Sequence, residues 1–276
     1  MDRRKFLTGL CSMTAASILT TLPGLSYASG KERDVSEKDL KDYLHIMADF
    51  DKPQLSDIIL DKKDFVLLKT TLKKLRKIQR TVGFGNYCIL SFDNAIKFSR
   101  QYSSIGRFTK DEIEFLDKIF QHNAAEYGFM GEKPVTKLTE SIPRKELIKI
   151  PRTGNYLYRG APYKKYLSIK KELGDEVYLT SGVRGVMKQF ILFLSKAALN
   201  NGNLSLASRS LAPPGYSYHA VGDFDVGEKG LGAANFSSRF AESNTCKRLR
   251  ELGYLKLRYP ENNLLGVRFE PWHIKV

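Results

Sequence analysis

The spacing of apolar residues changes near Pro143, and this change limits the folds open to the chain. Before it, apolar residues recur at helical spacing across residues 40–47 and again across 65–78, where lysines and arginines fill the opposite face. Residues 29–140 are therefore predicted to form a mainly helical N-terminal region.

A third helix is predicted from a local start signal. Thr109 and Glu112 have the spacing of a capping box, in which each residue satisfies an amide at the beginning of a helix. Apolar residues follow at helical spacing, and Gly128 is suited to end this helix.

After Pro143 the pattern is mixed. Strands are predicted at 177–180, around 224–226, and in two runs near the C-terminus, 254–259 and 266–269 with its continuation past Pro271. Helices are predicted at 187–199 and 238–252. Because these elements do not alternate regularly as βαβ units, residues 141–276 are expected to form an α+β domain with a small, mainly antiparallel sheet and flanking helices.

The N-terminus has the pattern of an export signal. Arg3 and Arg4 lie in a basic start, a mostly apolar stretch runs from residue 6 to 25, and a small-x-small pattern suits cleavage after Ala28. Adjacent arginines before Lys-Phe-Leu are typical of a twin-arginine signal. We therefore expect residues 1–28 to be a signal peptide and the mature protein to reach the periplasm or cell envelope.

The chain is strongly basic. Its formal net charge is +15, and removal of residues 1–28, with three basic residues and one acidic residue, leaves +13. Such a charge favours anionic partners. For an exported protein we expect an anionic cell envelope rather than nucleic acid, and the mature chain has no segment expected to cross a membrane. Its oligomeric state is not predicted.

Two cysteines remain after removal of the signal. Cys88 and Cys246 can pair in an oxidising compartment, but a protein that folds before export can equally keep them as buried free thiols. The sequence leaves both states open.

Two of the four histidines lie beside carboxylates. His219 is followed by Asp223 and Asp225, and Glu270 precedes His273 near the C-terminus. A catalytic zinc site uses three nitrogen or oxygen ligands and leaves one position for water, whose pKa falls to about 7. A further carboxylate then handles the proton. Two histidines and one aspartate can be the ligands, with Glu270 as the general base.

Three blocks in this region resemble the VanY-type D-alanyl-D-alanine carboxypeptidases, a group of zinc peptidases related to D-Ala-D-Ala dipeptidases and some phage endolysins. The blocks, in order, are Ser181-Gly182-Val183-Arg184 with Gln189; Ser217-x-His219-x-x-Gly222 with Asp225-Val226; and Leu252-Gly253-Tyr254, Arg258-Tyr259-Pro260 and Phe269-Glu270-Pro271-Trp272-His273. The third block is the most specific, and the resemblance covers residues 141–276.

The resemblance implies a role for each matching residue. His219, Asp225 and His273 would be the zinc ligands, and Glu270 the catalytic base. Arg184 would hold the substrate and stabilise the developing oxyanion. The same resemblance implies that Gln189 and Ser217 help to position the peptide.

This chain departs from the family pattern at two positions. The aspartate comes six residues after His219, one fewer than usual, which favours Asp225 as the ligand but leaves Asp223 as an alternative or an outer partner. Val183 replaces the usual tyrosine.

The implied function is hydrolysis of peptidoglycan stem peptides, with a D-alanyl-D-alanine carboxypeptidase favoured because the helical region can narrow the cleft. An endopeptidase of the same family and a non-catalytic zinc- or wall-binding protein are the alternatives.

Overall fold

The computed structural model describes residues 37–276. The predicted signal peptide therefore lies outside the described residues. The helices before residue 143 are α1 (Glu37–Ala48), α2 (Lys62–Val82), α3 (Phe84–Tyr87), α4 (Phe92–Gln101) and α5 (Lys110–Gln121).

Helices α2 and α5 form where local signals predicted them. The Asp61 side chain accepts from the Asp64 amide at the start of α2, and Thr109 and Glu112 form the expected capping box at the start of α5. The prediction for Gly128 was wrong: α5 ends at Gln121, and Gly128 instead ends a 3-10 turn in a left-handed conformation.

The second half begins with a hairpin and then builds one small sheet. Its elements are β1 (Leu147–Lys149), β2 (Tyr156–Tyr158), α6 (Ala161–Leu173), β3 (Val177–Ser181), α7 (Val186–Leu199), α8 (Leu204–Ser208), β4 (Phe224–Glu228), α9 (Asn244–Glu251) and β5 (His273–Ile274). Strands β3, β4 and β5 form an antiparallel sheet with β4 in the centre. The predicted α+β class is confirmed.

Three predicted elements differ from the structure. The helix expected over 238–252 is a 3-10 turn and then α9, because the Ser243 side chain accepts from the Cys246 amide and starts a new helix. The runs 254–259 and 266–269 are not strands, but the predicted continuation past Pro271 forms β5. The amides of Tyr254 and Leu255 bond to the Leu249 carbonyl in α9, and the Arg268 amide bonds to the Arg209 carbonyl.

Two large hydrophobic clusters organise the molecule. The first joins α2, α4 and α5 to α7 and to the loop around Val267, so it spans the predicted boundary at residue 141. The second lies around the three-stranded sheet and includes Trp272. Cys88 and Cys246 are buried free thiols. Across the described chain, every helix is too short or too polar to span a bilayer.

Candidate metal centre and cavity

The sheet brings together three side chains distant in sequence. Asp225 on β4 lies opposite His273 on β5, and His219 sits on the 3-10 turn before β4. His219 Nε2 and His273 Nδ1 are 3.2 and 3.0 Å from Asp225 Oδ1. All three side chains are buried, and one ligand atom from each lies within 4.8 Å of the others. Two imidazole nitrogens and a carboxylate oxygen suit a three-ligand zinc site.

The other nitrogen of each imidazole is held by a partner outside this group. His219 Nδ1 is 2.9 Å from the Gly182 carbonyl. Because a carbonyl only accepts, Nδ1 carries the proton, which leaves the lone pair of Nε2 free for a metal. His273 Nε2 is 2.9 Å from Asp223 Oδ2. Asp223 thus lies at the outer nitrogen of His273, and this geometry favours Asp225 as the ligand.

Gly182 is fixed by packing. Strand β3 has an irregular register between Leu179 and Ser181, and the chain then turns toward the site. A Cβ on Gly182 would lie 2.1 Å from the Tyr156 carbonyl oxygen, so only glycine fits. The close approach places the Gly182 carbonyl against His219, which gives the Ser-Gly pair of the first block a structural reason.

Burial and charge set the protonation of the group. Burial and the nearby Arg184 guanidinium lower the pKa of His219. Burial would lower the pKa of His273 too, but hydrogen bonds to Asp223 and Asp225 outweigh it and raise that pKa to about 9. Burial acts to raise the pKa values of both aspartates, but hydrogen bonds and nearby positive charges outweigh it. The pKa of Asp223 falls to about 2, and the pKa of Asp225 lies well below its usual range.

Arg184 lies against the triad. Its guanidinium is 3.1 Å from His219 Nε2 and donates to Asp225 Oδ2 at 3.3 Å. Gln189 is buried, accepts from Arg184 at 3.3 Å and donates to the Ala212 carbonyl. Gln189 therefore orients Arg184 in this structure, rather than facing the open cavity as the predicted peptide contact would.

A cavity of about 340 Å³ opens onto the triad. It is lined by the three candidate ligands and by other side chains named in the motifs, among them Arg184, Ser217, Glu270 and Trp272. Burial raises the pKa of Glu270 to about 7 against the opposing effect of His273. A carboxyl group that gains and loses a proton near neutral pH is suited to general acid–base chemistry.

The predicted contribution of the helical region to this cleft was wrong. The cavity is lined by residues from Thr180 onward, and helices α2, α4 and α5 instead pack with α7 in the first hydrophobic cluster. Two cations in the lining, Lys188 and Arg268, were missed because no motif includes them. Their only sequence signal is their position, beside Gln189 and two residues before Glu270.

Comparisons with known proteins agree with the motif resemblance. Residues 162–276 match the family model of VanY, D-alanyl-D-alanine carboxypeptidase. This confirms the resemblance over that part of the chain. No curated protein sequence matches the chain significantly.

Three solved structures match part of the chain. One is the LD-carboxypeptidase LdcB, described for peptidoglycan recognition: 24% identity, TM-score 0.38, covering 46% of this chain and 62% of LdcB. Another is a mutant VanY D,D-pentapeptidase from a VanB-type resistance cassette in complex with Zn(II). Its sequence identity is 24% and its TM-score 0.36, and the match covers 48% of this chain and 80% of that one. The third is VanYB in complex with D-alanine-D-alanine. Its sequence identity is 25% and its TM-score 0.36, and the match covers 46% of this chain and 75% of VanYB.

Proposed function

We propose that the protein is a zinc-dependent peptidase that hydrolyses peptidoglycan stem peptides as a D-alanyl-D-alanine carboxypeptidase. One observation carries the proposal. Within residues 162–276, which match the VanY family model, a buried His-Asp-His group shares a cavity with Glu270 and Arg184.

The chain's own residues divide the work. His219, Asp225 and His273 would hold the zinc ion, with Gly182 and Asp223 fixing the two imidazoles from outside. The ion would supply a water of lowered pKa and polarise the scissile carbonyl.

Glu270 and Arg184 would act on the substrate. Glu270 accepts the proton of the attacking water and returns it to the leaving amine, a role that suits its pKa of about 7. Arg184 donates hydrogen bonds to the oxygen of the scissile carbonyl as negative charge develops on it. Gln189 holds the guanidinium in place, and Ser217 on the cavity wall binds the peptide backbone.

The location proposed for this activity is the periplasm or cell envelope. The twin-arginine pattern at Arg3 and Arg4 supports export, and the net charge of +15 suits an anionic envelope. Neither feature depends on the cavity.

The test is a digest of stem pentapeptides and crosslinked dimers by zinc-loaded protein, followed by mass spectrometry. Release of one alanine, abolished by a chelator, supports the carboxypeptidase; conversion of dimers to monomers replaces it with an endopeptidase. Glu270→Gln should lower turnover about 10²- to 10⁴-fold while bound zinc stays stoichiometric.

The matched control is Glu261→Gln, an exposed glutamate outside the cavity. If neither substrate changes in zinc-loaded protein, the catalytic proposal fails and a zinc- or wall-binding function replaces it.

A further inference from the structure

Two positive side chains in the cavity have no part in the proposed chemistry. Lys188 lies in the first turn of α7, and Arg184 lies in the turn just before that helix. Arg268 lies in the loop before Glu270. Both are partly buried and both line the same cavity as the triad.

Lys188 has no negative partner within residues 37–276. It forms no salt bridge there, and the titratable groups that act on it are the Cys88 thiol and the Arg184 guanidinium. Burial raises the pKa of the Cys88 thiol, so the thiol is neutral at physiological pH. Burial also lowers the pKa of Lys188, as expected for a cation that has lost water without gaining an anion.

Arg268 is held by rings rather than by a carboxylate. Its guanidinium lies 4.9 Å from the Trp272 ring centre and 5.7 Å from that of Phe50. In the described chain its Nε is buried without a hydrogen-bond partner, and no carboxylate lies within salt-bridge distance. Glu270 and Asp225 act on it only through space.

These cations give the cavity more positive charge than its own carboxylates balance. Asp225 is already bound to both histidines and to Arg184. A desolvated cation without a partner is costly, and an anionic ligand removes that cost. A planar guanidinium with free donors also matches the two oxygens of a carboxylate.

We propose that Lys188 and Arg268 bind a carboxylate of the substrate, so that the cavity selects peptides that carry a free acid group near the scissile bond. The inference rests on the proposed function. Two substrate groups share this chemistry: the C-terminal carboxylate of the terminal residue, and the side-chain carboxylate of a diamino diacid within the stem.

The kinetic experiment compares three peptides: a stem pentapeptide, the same peptide amidated at its C-terminus, and one with lysine in place of the diamino diacid. Wild-type protein should prefer the acid over one of the two altered peptides, which identifies the group bound. Lys188→Met should reduce that preference about tenfold or more through KM, and Lys188→Arg should restore it.

The matched control is Lys196→Met, two turns further along α7 and outside the cavity lining. It should keep the wild-type preference.

A binding measurement makes the test independent of turnover. Trp272 is the only tryptophan in the chain, and Arg268 lies over its ring, so intrinsic fluorescence reports on the cavity directly. Titration with N-acetyl-D-alanine should give a saturable change, whereas its amide should bind at least tenfold more weakly. Lys188→Met and Arg268→Met should remove this difference.

The outcomes separate the two proposals. Carboxylate-selective binding that Lys188→Met removes, in a protein that cleaves no stem peptide, would sustain this inference and reject the proposed function. If the wild-type protein and a folded Lys188→Met variant prefer the acid over the amide to the same degree, the inference is overturned, whatever the activity. Lys188 makes no side-chain hydrogen bond among the described residues, so this variant is expected to fold even if Arg268→Met does not.

Discussion

The helical region and the sheet region use charged residues in opposite ways. In the helical region most cations lie on exposed helix faces, with the largely buried Lys74–Glu112 pair as an exception. Lys118, paired with Asp64, keeps 63% of its side chain exposed. In the sheet region, Asp223 and Asp225 are buried and connected to two histidines and two arginines.

This difference determines how each region responds to the substitution of a charged residue. An exposed ion pair contributes at most about 1 kcal/mol, because water and salt replace the lost partner. A buried network has no such replacement, so removing one member leaves the others desolvated and unpaired. The exposed charges of the helical region are expected to tolerate changes, whereas the site requires each member of its network.

The largest expected effect is on stability. Asp225→Ala in metal-free protein leaves His219, His273 and Arg184 without their shared anion, which should lower the free energy of unfolding by about 3–5 kcal/mol. Lys118→Met should lower it by about 1 kcal/mol or less. Urea unfolding with a chelator present measures both, and similar losses would break the comparison.

The second effect concerns metal affinity. Asp223→Asn weakens the anion that orients His273 and pairs with Arg258, so zinc binding should weaken about 10- to 100-fold. Competition against a chromophoric chelator gives the affinity. Asp64→Asn, which removes the carboxylate of the exposed pair, is the control, and an unchanged affinity in both variants would place Asp223 outside the site's function.

The sequence predicted the helical region and the site to different extents. The start of α5 is set by Thr109 and Glu112, three residues apart, so a local pattern was enough to predict it. The triad joins Asp225 to His273 across 48 residues of sequence, and only the family motifs indicated that these residues belong together.

The sequence patterns failed where long-range contacts decide. The run 254–259 alternates as a strand would, yet no strand of the described chain pairs with it, and its first amides bond to the end of helix α9 instead. Lys188 and Arg268 belong to no motif, and only the structure shows that they line the same cavity. The roles of His219, Asp225, His273, Glu270, Arg184, Gln189 and Ser217 remain predictions.

A third effect links pH to the network. Because the pKa of His273 is about 9 in the metal-free protein, a metal must displace its proton at neutral pH. Zinc affinity should therefore rise about tenfold per pH unit between roughly 6.5 and 9. Isothermal titration at pH 7 in two buffers of different ionisation enthalpy should show about one proton released per zinc bound.

The stability of the metal-free protein should fall as pH rises, opposite to the zinc affinity. A pKa raised above its unfolded value of about 6.5 stabilises the fold fully below that pH, and this contribution is lost as pH rises through about 9. Asp223→Asn should flatten both pH profiles, whereas Lys118→Met should leave them unchanged. A flat wild-type profile would mean that His273 is neutral in the metal-free protein.

The smallest effect lies in the helical region and tests whether its stability is local. Thr109→Ala removes one side of the capping box, which should cost about 1 kcal/mol and lower the melting temperature by about 2–4 °C. Thr70→Ala, also exposed but within α2, is the control: it removes no cap and introduces a better helix former, so the melting temperature should stay the same or rise slightly. Because α5 packs on α2 and lines no part of the cavity, zinc affinity should stay at the wild-type value in both. A loss of zinc binding in Thr109→Ala would show that the first hydrophobic cluster transmits changes to the site through α7.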